Sequence, residues 1–154
     1  MRDILEDSIQ RLLADHVTPA LLRESEKGTL ATALWQLIET LGFPHALVRE
    51  SAGGSGLAWP DVYPLVMACG QHGLPLPLPE TMLAAWLLDQ TGLAVPSGAL
   101  SIVDTTGTAA VQATHTLQGW QLTECCRWCR GAATPGTQCW KCAPAAFCIW
   151  RWWT

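Results

Sequence analysis

The chain taken as a whole is not basic enough to attract a polyanion. Nine Lys+Arg stand against 13 Asp+Glu, for a formal net charge of -4. With a sequence pI near 5.4 there is no cationic stripe of the kind a nucleic-acid partner requires. No window approaches the roughly 18 uninterrupted apolar residues of a membrane span, and the best one, residues 82–88, stops at Asp89. The opening MRDILEDSIQ is acidic and amphipathic, without the basic start and apolar run of a secretory signal. A cytoplasmic setting is expected, in which cysteines are thiols and not disulfides. The cluster SAGGSGL (residues 51–57) lacks the Lys-Ser/Thr of a phosphate loop and the spacing of a dinucleotide fingerprint, so it reads as a pliable turn between helices. His16, His45, His72 and His115 form no i,i+4 pair and read as surface or helix-end residues.

Two compositions share the chain. Residues 124–154 hold six of the seven Cys and five of the nine Trp, yet no Leu, Val or Asp. Residues 1–123 carry five Lys+Arg against twelve Asp+Glu, and the tail carries four against one. The charge changes sign at the seam. Cys, Trp, Arg, Gly, Ala and Pro are what GC-rich coding DNA yields when read off frame. A GC-rich back-translation of the tail, read two bases on, gives alternating apolar segments around a Gly-Gly turn, as a β domain would. The tail is therefore expected to be the product of a frameshift near residue 123 and to lack a fixed structure.

Helical periodicity governs residues 1–95. Leu5, Ile9, Leu12 and Leu13 recur on one face of a first helix, opposite Glu6, Asp7, Arg11 and Asp15. A short second helix over residues 20–25 leads into a Lys27-Gly28 turn. Thr29 is placed to cap a third, whose buried stripe would be Leu30, Ala33, Leu34, Leu37, Ile38 and Leu41, stopped by Gly42 and Pro44. Asp61 would cap a fourth, with Pro64 in its first turn and Val62, Leu65, Val66 and Cys69 inward. The run LPLPLP (74–79) is expected to be extended. A fifth helix over residues 80–90 would face Leu83, Trp86 and Leu87 inward. Beyond Pro96 the period shortens to two: residues 100–104 and 109–113 read as strands, and THTL and WQLT flank Gln118-Gly119 as a hairpin. The expected domains are thus 1–95 helical, 96–123 the start of a β domain, and 124–154 an irregular tail.

The tail does contain one constellation with metal-ligand spacing. Cys126-x-x-Cys129 and Cys139-x-x-Cys142 could hold one Zn²⁺ through four thiolates, which would make the chain a helical binding module with a zinc ribbon. Cys125 and Cys148 are surplus to that set, and Trp150, Trp152 and Trp153 show no period. Cys69 reads as a small core side chain.

Across its first 105 residues the chain resembles the N-terminal helical domain of acyl-CoA dehydrogenases. The third helix followed by LGFPHALVRESAGGSGLAWPDV, then CGQHGLPLPLPETMLAAWLL, carries the likeness, and THTLQGWQLT is similar to the first hairpin of that family's middle domain. The resemblance implies an all-α orthogonal bundle followed by a fragment of a β domain. It implies a parent enzyme that uses FAD to oxidise an acyl-CoA at its α and β carbons. The family's flavin contacts and catalytic Glu belong to later segments, so neither a catalytic nor a cofactor-binding residue is assigned, and the chain as given should bind no flavin and be inactive. By the same resemblance Thr81, Met82 and Ala85, sharing one face of the fifth helix, would form part of the acyl pocket wall. An acyl-CoA substrate and a homo-oligomer are the partners this leaves.

Overall fold

The computed structural model describes the backbone of residues 2–104, 112–116, 119–123, 138–142 and 147–152, and the side chains of residues 4–102. Two compact units, Met1–Val95 and Pro96–Thr154, divide the chain. The first contains five α-helices: α1 (Arg2–His16), α2 (Pro19–Glu26), α3 (Thr32–Thr40), α4 (Trp59–His72) and α5 (Leu78–Gln90). Where side chains are described the protein is mostly helical.

Each helix starts and stops for a local reason. Thr18 caps α2 by accepting from the Leu21 N–H at 3.2 Å, and Pro19 takes the first helical position, where a missing N–H costs nothing. Gly42 at φ 76° ends α3, and Gly73 at φ 61° ends α4, in the left-handed conformation that side chains resist. At the start of α4 the Asp61 carboxylate accepts from the Ala58 N–H at 3.3 Å, and Ala58 has no side chain with which to return the bond. Asp61 is therefore the third residue of α4 and not its cap, and Pro64 lies inside the helix, buried. Similarly, α5 begins at Leu78, so only residues 74–77 of the Leu-Pro run lie outside a helix, and Pro79 falls in the first turn.

The core joins Ile9 and Leu13 of α1, Leu34, Trp35 and Ile38 of α3, Val62 and Leu65 of α4, and Leu78, Met82 and Leu88 of α5. Helix α1 packs on α4, and α5 packs on a 3-10 turn at Phe43–His45. Two faces differ from expectation. On α3, Leu30, Leu37 and Leu41 are 49%, 41% and 52% exposed while Trp35 is buried. The helix starts two residues later than a Thr29 cap would allow and has no side-chain cap, so Leu30 and Leu41 lie beyond its ends. Its inward face is centred on Trp35, whose indole offers more apolar area than Leu37. On α5, Leu83 is exposed and Trp86 and Leu87 are half-buried, while Thr81, Met82, Ala84, Ala85 and Leu88 are inside. Residues 82–88 of α5 are all apolar, and such a run gives periodicity little with which to choose a face.

The second unit carries β1 (Ala99–Asp104), β2 (Gln112–Thr116), β3 (Gly119–Thr123), β4 (Gln138–Cys142) and β5 (Phe147–Trp152). Strands β2 and β3 pair antiparallel with His115 opposite Trp120, as the THTL/WQLT pattern requires. Strands β1, β5 and β4 form a separate antiparallel sheet in that order. The tail is thus not irregular along its described backbone. Phe, Ile and Trp favour extended backbone whatever reading frame produced them.

Candidate functional site

The 43–57 segment is tied by its own backbone hydrogen bonds and joined to α5 by side-chain ones. Within the glycine cluster the N–H groups of Ala52, Gly53, Gly54, Ser55, Gly56 and Leu57 all donate to backbone carbonyls, those of Arg49, Glu50, Arg49, His45, Val48 and Ala46 respectively, at 2.7–3.2 Å. Six successive amides are therefore used internally, and no nest remains to cradle a phosphate. Gly54 permits this fold-back: a Cβ there would overlap the Val48 carbonyl oxygen and stand 2.6 Å from that of His45. The segment is a tied loop and not the pliable linker its composition suggests.

Arg49 fastens this loop to α5. Its backbone N–H donates to Asp89 Oδ2 at 3.2 Å, its Nε lies 3.0 Å from both carboxylate oxygens, and its Nη2 reaches the Asp89 carbonyl oxygen at 3.1 Å. The Asp89 side chain is 2% exposed and that of Arg49 is 61% exposed, so a buried anion is held by a cation whose outer edge is wet. Asp89 sits one residue from the C-terminus of α5, the end at which the helix dipole disfavours negative charge. Without the Arg49 guanidinium the carboxylate would keep only one of these partners, the backbone amide of residue 49. Sequence reading met Asp89 only as the residue that ends an apolar run. A lone acid inside an otherwise apolar helix face was the signal for a buried pair, but the partner lies 40 positions away.

Thr81, Met82 and Ala85 are brought together on the inward face of α5, each 0% exposed. The Thr81 hydroxyl donates at 2.7 Å to the carbonyl of Pro77, the residue just before α5. As folded here the three side chains line core and not an open cleft. The Trp35 Nε1–H is buried and has no hydrogen-bond partner among the described residues. Burial pushes the Cys69 thiol up to about 11, so it stays protonated and inert at neutral pH.

His16 and His72 are the last residues of α1 and α4. The His72 Nε2 meets Gln10 Oε1 at 2.8 Å, and Gln10 Nε2 donates to Gln71 Oε1 at 2.9 Å, tying α1 to the end of α4. Among the described residues no group of His, Cys, Asp or Glu could hold a metal ion. The side chains of Cys126, Cys129, Cys139 and Cys142 lie outside the described residues, as do the backbones of the first two. No described helix is long and apolar enough to cross a membrane. No family model, curated protein or solved structure matches this chain.

Proposed function

We propose that this chain corresponds to the N-terminal helical part of an FAD-dependent acyl-CoA dehydrogenase-like oxidoreductase, an orthogonal helical bundle continued by the first strands of a β domain. The observation that carries the reading is the order of elements around one passage. Helix α3 runs into LGFPHALVRESAGGSGLAWPDV, then come α4, the Leu-Pro link and α5, and strands begin at Ala99. The internal saturation of the glycine loop supports a structural role for that passage.

The described residues do not fit a flavin. The amides of the glycine cluster are spent on backbone carbonyls, Arg49 is engaged by Asp89, and the side chains of the expected acyl wall are closed into the core. Oxidation of an acyl-CoA belongs, on this reading, to a longer parent protein. Thr81, Met82 and Ala85 would shape its acyl pocket from behind, by fixing the position of α5. A cytoplasmic location accompanies the reading.

The test is genetic and then biochemical. The nucleotide sequence around codon 123 should contain a shift whose correction opens a longer product, and that product should copurify with yellow flavin and reduce an electron acceptor when given an acyl-CoA. A single uninterrupted frame through Thr154, with no strand-coding continuation in the other frames, would remove the basis of the proposal.

A further inference from the structure

The start of the helical unit is held mostly by itself. From Ala14 to Ala33 no residue is buried, and of residues 4–33 only Ile9 and Leu13 are. Backbone bonds run from α1 into α2 and through its end. The Val17 N–H donates to the Leu13 carbonyl at 2.8 Å, that of Leu22 to Thr18 at 3.0 Å, and that of Thr29 to Glu24 at 3.0 Å. There they stop. Among the described residues no backbone hydrogen bond crosses the peptide between Thr29 and Leu30, next to Gly28 at φ 88° and ahead of an α3 that has no side-chain cap. Residues 4–29 reach residues 30–95 through two hydrogen bonds, both of the Gln10 amide, to Gln71 and His72 at the end of α4.

The remainder of the unit has a centre of its own. Helices α3 and α5 both pack on the Phe43–His45 turn, and Arg49 fastens the neighbouring loop to α5, whereas α1 packs on α4. The two bodies carry charge of the same sign. Residues 1–29 have four Lys+Arg against six Asp+Glu, and residues 30–95 have one against five. None of Glu6, Asp7, Arg11 and Asp15 makes an ion pair with another described residue, so no described ion pair offsets the repulsion between the bodies.

We propose that α1 and α2 are a strap that lifts from α4 as one body about the Thr29–Leu30 junction while α3, α5 and the 43–57 loop stay folded, and that ionic strength sets how often it lifts. Lifting gives up the burial of Ile9 and Leu13 and the two bonds of Gln10, and it leaves the contacts of α3 and α5 with the Phe43–His45 turn intact. A terminal element with so little buried opens at a fraction of the cost of global unfolding. The backbone change is confined to the junction, where no hydrogen bond has to break and Gly28 is free to change φ. Salt enters through the like charges. The screening length is about 30 Å at 0.01 M and about 3 Å at 1 M, so in dilute buffer the acidic bodies repel, and in concentrated salt the strap closes. The lifted state bares the surface of α4 that α1 covers, and salt thereby gates access to it.

The experiment is hydrogen exchange of the full chain under reducing conditions at neutral pH, read by mass spectrometry in about 10 mM and about 500 mM NaCl. In dilute salt the bonded amides of α1 should be at least about tenfold less protected than those of α5, and those of α2 no better protected than those of α1. Raising the salt should slow exchange in α1 by about threefold or more and change α5 less. Glu6→Gln/Asp7→Asn, which cancels the net charge of the strap, should remove most of that salt effect. Gln10→Ala should speed exchange in α1 about fivefold and leave α5 unchanged. Equal protection of α1 and α5 would put α1 in the global unfolding unit and overturn the proposal. So would α1 protection that ignores salt, or a Gln10→Ala variant in which α5 loses as much protection as α1.

Discussion

Replacing Arg49 by Leu should destabilise the helical unit far more than an exposed arginine normally does. The guanidinium supplies three of the contacts to the Asp89 carboxylate, through Nε to both oxygens and Nη2 to Oδ1, each at 3.0 Å. Stranding a fully buried charge costs roughly 3–5 kcal/mol. Here the cationic partner is 61% exposed, so water can reach part of the site, and about 2–3 kcal/mol is the better expectation. Urea unfolding followed by far-UV circular dichroism reads the helices and hence residues 1–95. With a slope of about 1–1.5 kcal/mol/M, the midpoint should fall by roughly 2 M. The double variant Arg49→Leu/Asp89→Leu should be more stable than Arg49→Leu alone, because it removes the stranded charge together with its counterion. A loss under about 0.5 kcal/mol for Arg49→Leu, or a double variant as unstable as the two single losses added together, would refute this account of the junction.

Ile38→Ala, at 0% exposure, should cost about 2–5 kcal/mol in the same assay, whereas Leu37→Ala, at 41% exposure, should cost less than about 1; equal losses would mean that α3 faces the other way. Gly54→Ala should cost more than about 2 kcal/mol, because its Cβ meets the Val48 and His45 backbone, while Gly53→Ala, strained only by φ 87°, should cost about 1–2. Cys69 should resist a thiol-directed reagent in native protein at pH 8 and react on unfolding. Its thiol is raised from 9.0 to about 11 by burial, so its contribution to stability is complete below about pH 9 and is lost as pH rises from there toward 11, where the unfolded chain alone is ionised. Unfolding midpoints of wild type and Cys69→Ala, compared between pH 8 and pH 10.5, check that sign.

The sequence made the number of helices in the first unit legible, along with most of their boundaries, because glycine and proline punctuate them at Gly28, Gly42, Gly73 and Pro19. The facing of α3 and α5 was not legible. Leu37 and Leu83 satisfy the helical period as well as Trp35 and Met82 do, and only tertiary packing decides between them. The glycine cluster misled in the opposite direction: three glycines in four positions suggest freedom, but Gly54 is there because another strand of backbone passes within contact distance. The pair Arg49–Asp89 could not be read, since nothing local links residues 40 positions apart. Of the acyl-wall residues, the sequence placed Thr81, Met82 and Ala85 on a common face, and that much the helix geometry fixes.

Residues 43–57 also bear on how the folded protein meets a protease. Arg49 is the most exposed cation of that segment, and in composition the surroundings look like a scissile linker. A protease must draw several residues into an extended strand, which here would mean breaking the bonds of residues 52–57 to the loop's own carbonyls and pulling Asp89 out of its contacts. Lys27 is held by nothing beyond its own turn, through its N–H to the Glu24 carbonyl and its ammonium to the Glu24 carboxylate. Trypsin should therefore open the native chain after Lys27 well before it opens it after Arg49, so that of these two sites the helix boundary, and not the glycine cluster, is cut first.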